Sequence, residues 1–153
     1  MDAQSNRLYR FSNWLIRLRF IGVICIILIT FVSSQILRVS VQDFALYMVA
    51  VSLLLLNIIQ FLVLRKITQR KDTDLTRPFR ILTNFQISTD FIILILLLHF
   101  SGGIENPFIV YFIFHMIMAS IVLSPRESYL QAGFAWSLVI VLAVLEYQGI
   151  IQH

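Results

Sequence analysis

Five apolar runs, each long enough to cross a lipid bilayer as a helix, dominate this chain. They cover residues 20–37, 44–64, 81–100, 107–123 and 129–147. A hydrocarbon core of about 30 Å needs about 20 helical residues, and roughly 17 suffice. Inside lipid every backbone N–H and C=O must pair within the protein, which leaves helices and closed barrels. The runs are continuously apolar and far longer than barrel strands. The sequence therefore predicts an all-α, polytopic integral membrane bundle of about five transmembrane helices. Hydrophobic residues make up 59% of the chain and charged residues 13%, against about 45–50% and 25% in a soluble domain. A globule of this size could not hide so much apolar surface.

The prolines mark helix starts. Ser124-Pro125-Arg126-Glu127 has the pattern of a capping box, with Ser at the cap, Pro at the first position and Glu at the third. The fifth span is therefore drawn over 125–147. Asn106-Pro107 predicts the start of the fourth helix, and Thr76-Arg77-Pro78 that of the third.

Charge sets the expected orientation. All twelve Lys and Arg except Arg38 fall on one side of these spans, and cytoplasmic loops carry the excess of such residues. The N-terminus is expected in the cytoplasm, with residues 1–19 a cytoplasmic amphipathic segment. Leu8, Phe11, Trp14, Leu15 and Leu18 interleave there with Arg7, Arg10, Arg17 and Arg19 in the manner of a surface-lying helix. Residues 20–153 form the transmembrane domain. Five passes from an inside start leave His153 outside, so a cytoplasmic effector domain requires a sixth pass. The net charge of +4 flanks the apolar runs instead of forming a compact patch, which argues against nucleic acid. The basic segment 65–80 reads as a solvated loop or as a contact for anionic lipid.

Several chemistries are excluded. One cysteine, Cys25, permits no internal disulfide and is expected to be a small core residue. Three histidines on separate segments, with no second thiolate, make no recognisable metal site. No nucleotide loop, nucleophile elbow or zinc-protease signature is present, so no catalytic residue is assigned and the chain holds no ATP-binding domain.

The polar groups that remain are few. The turn His99-Phe100-Ser101-Gly102-Gly103-Ile104-Glu105-Asn106-Pro107-Phe108 combines two glycines, free to take positive φ, with a helix start whose N–H groups favour an electron-rich partner. It builds either a well-capped hairpin or a donor-rich site suited to quinone carbonyls. His115 lies mid-span, where an ionisable residue marks a functional site by default. Phe108, Tyr111, Phe112, Met118, Ala119 and Val122 share its face. Flat apolar walls with a phenol and an imidazole suit a quinone head, and a neutral histidine bonded to a neighbouring helix is the plainer alternative. His115 lies about 12 Å deeper than the turn, so one ring sits either at the turn with Tyr111 as its side-chain partner or deeper with the turn shaping the entrance. Asp90, buried in the third span, is expected to pair with Asn57, Gln60, Arg17 or Arg19. His99, Glu105 and Glu146 are expected to be solvated.

The residues Gly102-Gly103-Ile104-Glu105-Asn106-Pro107-Phe108 resemble the membrane sensor domain of the RegB/PrrB family of redox-responsive sensor histidine kinases. That family carries Gly-Gly-x-x-Asn-Pro-Phe between spans three and four of a six-span domain. The order of Asp90 upstream and Phe114, His115, Ala119 and Ser120 downstream is similar too. The resemblance implies a sensory input module of a two-component system that binds quinone and reports its redox state. No covalent cofactor is implied. The implied quinone-binding residues are Gly102, Gly103, Asn106, Pro107, Phe108, Tyr111, Phe112 and His115. The resemblance lies in the turn, which favours the ring there, with Tyr111 as its side-chain partner. A homodimer in a bacterial inner membrane is implied as well, with a cytoplasmic kinase output domain and a response regulator as partners of the full-length protein. The family's sixth span and kinase domain are absent from this sequence. The competing class is a small stand-alone membrane protein, such as a transporter subunit or assembly factor.

Overall fold

The structure is a computed structural model that describes residues 3–36, 42–69, 75–103 and 106–149, without the side chains of residues 3, 36 and 108. Every regular element among them is helical: α1 (Ala3–Phe31), which ends in a π-type turn (Val32–Ile36), α2 (Asp43–Thr68), α3 (Thr76–Phe100), α4 (Val110–Val122) and α5 (Pro125–Tyr147). A 3-10 turn, Pro107–Ile109, leads into α4. The expected all-α membrane bundle is the observed fold. Four helices are long and apolar enough to cross a membrane, and Val110–Val122 is a shorter apolar helix. Its 13 residues rise about 20 Å.

The boundary drawn at residue 20 falls inside one continuous helix. Gln4–Gln35 forms a single candidate span, because nothing between Arg7 and Phe31 breaks a helix: no proline occurs there, and the lone Gly22 is tolerated inside a helix. The half of α1 before residue 20 packs its apolar stripe on the bundle, with Leu8, Leu15 and Ile16 buried and Trp14 and Leu18 exposed. Cys25 is exposed, not a core residue; α1 turns Val23 inward and Ile24 outward beside it.

α3 is the hub. It packs against α1, α2, α4 and α5. Phe79, Ile87, Phe91 and Leu98 on α3 are almost wholly buried. One apolar cluster joins Leu15 of α1 to Phe91, Leu94, Phe112, Ala119, Ala135 and Leu142. A second, around Leu8, Leu64 and Phe79, closes the end that carries the basic residues. The outward faces are apolar too, as in Ile21, Leu55, Ile81, Ile113 and Val141, which is what a bundle with lipid for solvent requires.

The starts of α3 and α5 follow the sequence. Ser124 and Glu127 form the capping box: the Ser124 N–H donates to Glu127 Oε2 at 3.0 Å and its hydroxyl to the same oxygen at 2.6 Å. α3 begins at Thr76. The Ser34 hydroxyl donates to the Asp43 carboxylate, tying the end of the first helix to the start of the second.

Candidate functional site

α3 carries two polar stripes. Thr83, Gln86 and Asp90 recur at helical spacing and face α1; Asn84 and Ser88, four apart, face α5. Each stripe meets a partner. The Thr83 and Ser12 hydroxyls lie 2.9 Å apart. Gln131 of α5 donates to Ser88 Oγ at 3.0 Å, and the Asn84 amide donates to Glu127 Oε1 at 2.9 Å.

The first stripe ends in a buried ion pair. Arg19 Nε donates to Asp90 Oδ1 at 2.6 Å, and Arg19 Nη2 to Asp90 Oδ2 at 2.7 Å. Both side chains are 7% exposed. Nη2 also donates to the Gln86 carbonyl at 2.8 Å, and Nη1 donates to Gln60 Oε1. The fixed fork of a guanidinium matches a carboxylate in this way, two parallel bonds at once. Asn57, wholly buried on α2, donates to the Ile16 carbonyl at 2.9 Å and holds α1 and α2 in register. Around the pair, Gln60 Nε2, Asn57 Oδ1 and both amide atoms of Gln86 have no hydrogen-bond partner among the described residues.

His115 of α4 reaches the same carboxylate from the other side. Its Nε2 lies 3.9 Å from Asp90 Oδ2, and its side chain is 21% exposed. Its Nδ1 lies 2.9 Å from the Tyr111 carbonyl. A carbonyl can only accept, so in the neutral ring Nδ1 carries the proton and Nε2 is left an acceptor. Phe91 lies against the imidazole, with ring centres 6.0 Å apart, and Phe114 meets its other edge at 5.9 Å.

The turn between α3 and α4 is a separate locus. Gly102 has φ 122° and Gly103 φ 65°, conformations that favour glycine. A Cβ on Gly103 would lie 2.5 Å from Glu146 Oε1, so the α5 carboxylate sits directly over the bare backbone. Glu146 and His99 approach to 3.9 Å with side chains 12% and 17% exposed. Neither is a solvated surface group, because α5 returns beside the end of α3 and closes over both. The N-cap position of α4 is Ile109, and Asn106 is buried in the turn before it. The Asn106 amide donates to the Ser101 carbonyl at 2.8 Å and to the Ser101 hydroxyl at 2.7 Å, closing the hairpin backwards onto α3. Pro107 opens the 3-10 turn, so α4 itself starts three residues later than the proline pattern predicts.

The residues singled out in the sequence thus separate. Asp90, Phe112 and His115 come together in the bundle. Gly102, Gly103 and Asn106 come together at the turn. Phe112 is 3% exposed and stacks on Phe91 with ring centres 5.6 Å apart, so its face is already occupied. Tyr111 is exposed along α4, one turn from His115 toward the hairpin. The side chain of Phe108 and residues 104–105 lie outside the described residues. Among the described residues no cluster of His, Cys, Asp and Glu could hold a metal ion.

A family model described as the PilS-like transmembrane domain matches residues 1–153. The chain belongs to that family. Such a domain is of the sensor-kinase type, and the apolar helices make the chain a multi-pass membrane protein. Neither a curated protein nor a solved structure matches it.

The sequence named Arg19 and Gln60 among four candidate partners for Asp90. It left Gln86, Gln131, Ser88 and the His99–Glu146 approach unassigned. The polar residues of α3 stand out within an apolar span; the residues that answer them come from helices whose rotation no local pattern records.

Proposed function

We propose that this PilS-like domain is the membrane input module of a two-component sensor histidine kinase of the RegB/PrrB redox type, and that it binds quinol. It sits in a bacterial inner membrane with its N-terminus in the cytoplasm. The kinase domain and response regulator act through the full-length protein, which works as a homodimer.

The observation that supports a redox ligand is His115. Its ring is half-buried, edged by Phe91 and Phe114, and partly open on a bilayer-facing helix. With Nδ1 committed to the Tyr111 carbonyl, the neutral ring offers Nε2 as an acceptor beside the Asp90 carboxylate. A quinol hydroxyl can donate to that pair of acceptors; a quinone carbonyl cannot. Differential binding of this kind shifts a conformational equilibrium toward the state that binds quinol better. The head group in this proposal lies at the depth of His115, with Tyr111 one turn nearer the hairpin. Gly102, Gly103, Asn106, Pro107 and Phe108 shape the entrance.

The test is a titration of the purified module in detergent with quinol and quinone forms of one short-chain analogue. Wild type should prefer quinol. Loss of one hydrogen bond in His115→Ala should weaken quinol about 3–10-fold and leave quinone unchanged. Phe108→Ala should affect both forms equally. Absence of binding to wild type, or equal loss of both forms in His115→Ala, refutes the site.

A further inference from the structure

At the basic end of the bundle, α1 and α2 run antiparallel and leave a cavity of about 300 Å³ between them. Its floor is Phe61 and Leu64. Its polar lining is Tyr9, Asn13, Arg65, Gln69 and Thr68, the last with its hydroxyl spent on the Leu64 carbonyl. Tyr9 is held in place by Phe79, with ring centres 5.9 Å apart. Among the described residues no carboxylate lines the cavity or lies within ion-pair distance of Arg65. The Tyr9 hydroxyl, the Asn13 and Gln69 amides and the Arg65 guanidinium make no side-chain hydrogen bond to another described residue.

The chemistry of this rim is one-sided. An arginine and a phenol donate, two amides donate and accept, and the one full charge is positive. Such a rim fits an anion with several acceptor oxygens, which describes a phosphate. The floor adds a second requirement. Phe61 is exposed and continues into the lipid-facing Leu62 and Val63, so an apolar body can lie below the anionic group. A free phosphate satisfies only the rim. A phospholipid satisfies both halves, and basic pockets between helices at this level of a membrane protein take anionic headgroups.

We propose that the α1–α2 cavity is a binding site for one anionic phospholipid, its headgroup phosphate on Arg65, Tyr9, Asn13 and Gln69 and an acyl chain against Phe61 and Leu64. The lipid bridges the first two helices at the end where the basic segment 65–80 begins. Its occupancy does not depend on the ligand proposed at His115.

Native mass spectrometry of the purified chain in detergent tests this, with phosphatidylglycerol and phosphatidylcholine of identical acyl chains as probes. One positive charge near the headgroup corresponds to about fivefold in affinity. Wild type should retain phosphatidylglycerol over phosphatidylcholine by at least that factor. Arg65→Gln should abolish the preference, and Lys66→Gln, which alters the same net charge outside the cavity, should keep it. Asn13→Leu should reduce retention without changing charge. Inorganic phosphate at millimolar concentration should not displace the lipid. Equal effects of Arg65→Gln and Lys66→Gln, displacement by inorganic phosphate, or no preference in wild type would each overturn the assignment.

Discussion

Arg19 and Asp90 are the residues whose replacement the bundle tolerates least. Each is almost wholly enclosed, and Arg19 spends four donor contacts on Asp90, Gln60 and the Gln86 carbonyl. Removing one partner of such a pair strands a charge in a medium that cannot solvate it, at about 3–5 kcal/mol. Asp90→Ala and Arg19→Ala should each lower the thermal unfolding midpoint sharply, measured by circular dichroism in detergent. The double change Arg19→Met with Asp90→Leu should recover most of that loss, because it removes both charges together. Recovery no better than either single variant would show that the pair does more than cancel its own charges. Gln86 behaves oppositely. Both its amide atoms are buried without a hydrogen-bond partner among the described residues, and an unsatisfied buried polar group costs about 1–3 kcal/mol. Gln86→Met should therefore raise the unfolding midpoint; a clear fall would mean the amide is satisfied in the membrane. The contrast explains what was readable at this scale. Asp90 announces itself as a carboxylate within an apolar run. Arg19 does not, because it sits one residue before its own run and reads as a rim charge until α1 is seen to continue through it.

Among the elements, the hairpin joining α3 to α4 depends on a fit between three helices. Its glycines do different jobs. A Cβ at Gly102 meets nothing within 4 Å, so Gly102→Ala costs only the strain of φ 122°. A Cβ at Gly103 collides with the Glu146 carboxylate as well. The two penalties should separate in a double-mutant cycle. Gly103→Ala combined with Glu146→Ala should show a coupling of about 0.5–3 kcal/mol, whereas Gly102→Ala with Glu146→Ala should be additive within about 0.5 kcal/mol. Additive behaviour at Gly103 would mean that the carboxylate does not rest on the turn. Asn106→Ala should cost about 1 kcal/mol, the net worth of an ordinary hydrogen bond. The turn itself was legible: Gly-Gly followed by Asn-Pro predicts a tight reversal. The bond from the Asn106 amide back to Ser101 was not, since an asparagine before a proline announces only its forward use as a cap. The 3-10 turn Pro107–Ile109 moves the start of α4 away from Asn106, whose amide donates to Ser101. Glu146 was equally hidden, because its partner surface is a backbone with no side chain to advertise it.

For the whole molecule the governing question is which end faces the cytoplasm. Lipid supplies no hydrophobic drive between helices, so the bundle is held by packing and by the polar contacts that radiate from α3. Those contacts fix which residues share an end. Arg7, Arg10 and Arg17 of α1, Arg65 and Lys66 of α2, Arg77 and Arg80 of α3, and Arg126 of α5 all belong to one end of the antiparallel bundle. Arg19 must be taken out of that tally, since its charge is buried against Asp90 and is not presented to either surface. Arg38, Arg70 and Lys71 lie outside the described residues. The bias survives the subtraction, and basic residues near the ends of spans are retained on the cytoplasmic side. Alkaline phosphatase fused after Gly103 should therefore be active, and fused after Lys71 inactive. A charge experiment separates the rim residues from the buried one. Replacing Arg7, Arg10 and Arg17 together by glutamine should weaken the orientation and give activity from the Lys71 fusion. Replacing Arg19 with Asp90 by an apolar pair should leave both fusions as they were. If the apolar pair alone inverted the reporters, Arg19 would be acting as a topological charge, and the ion pair would form only after insertion is complete.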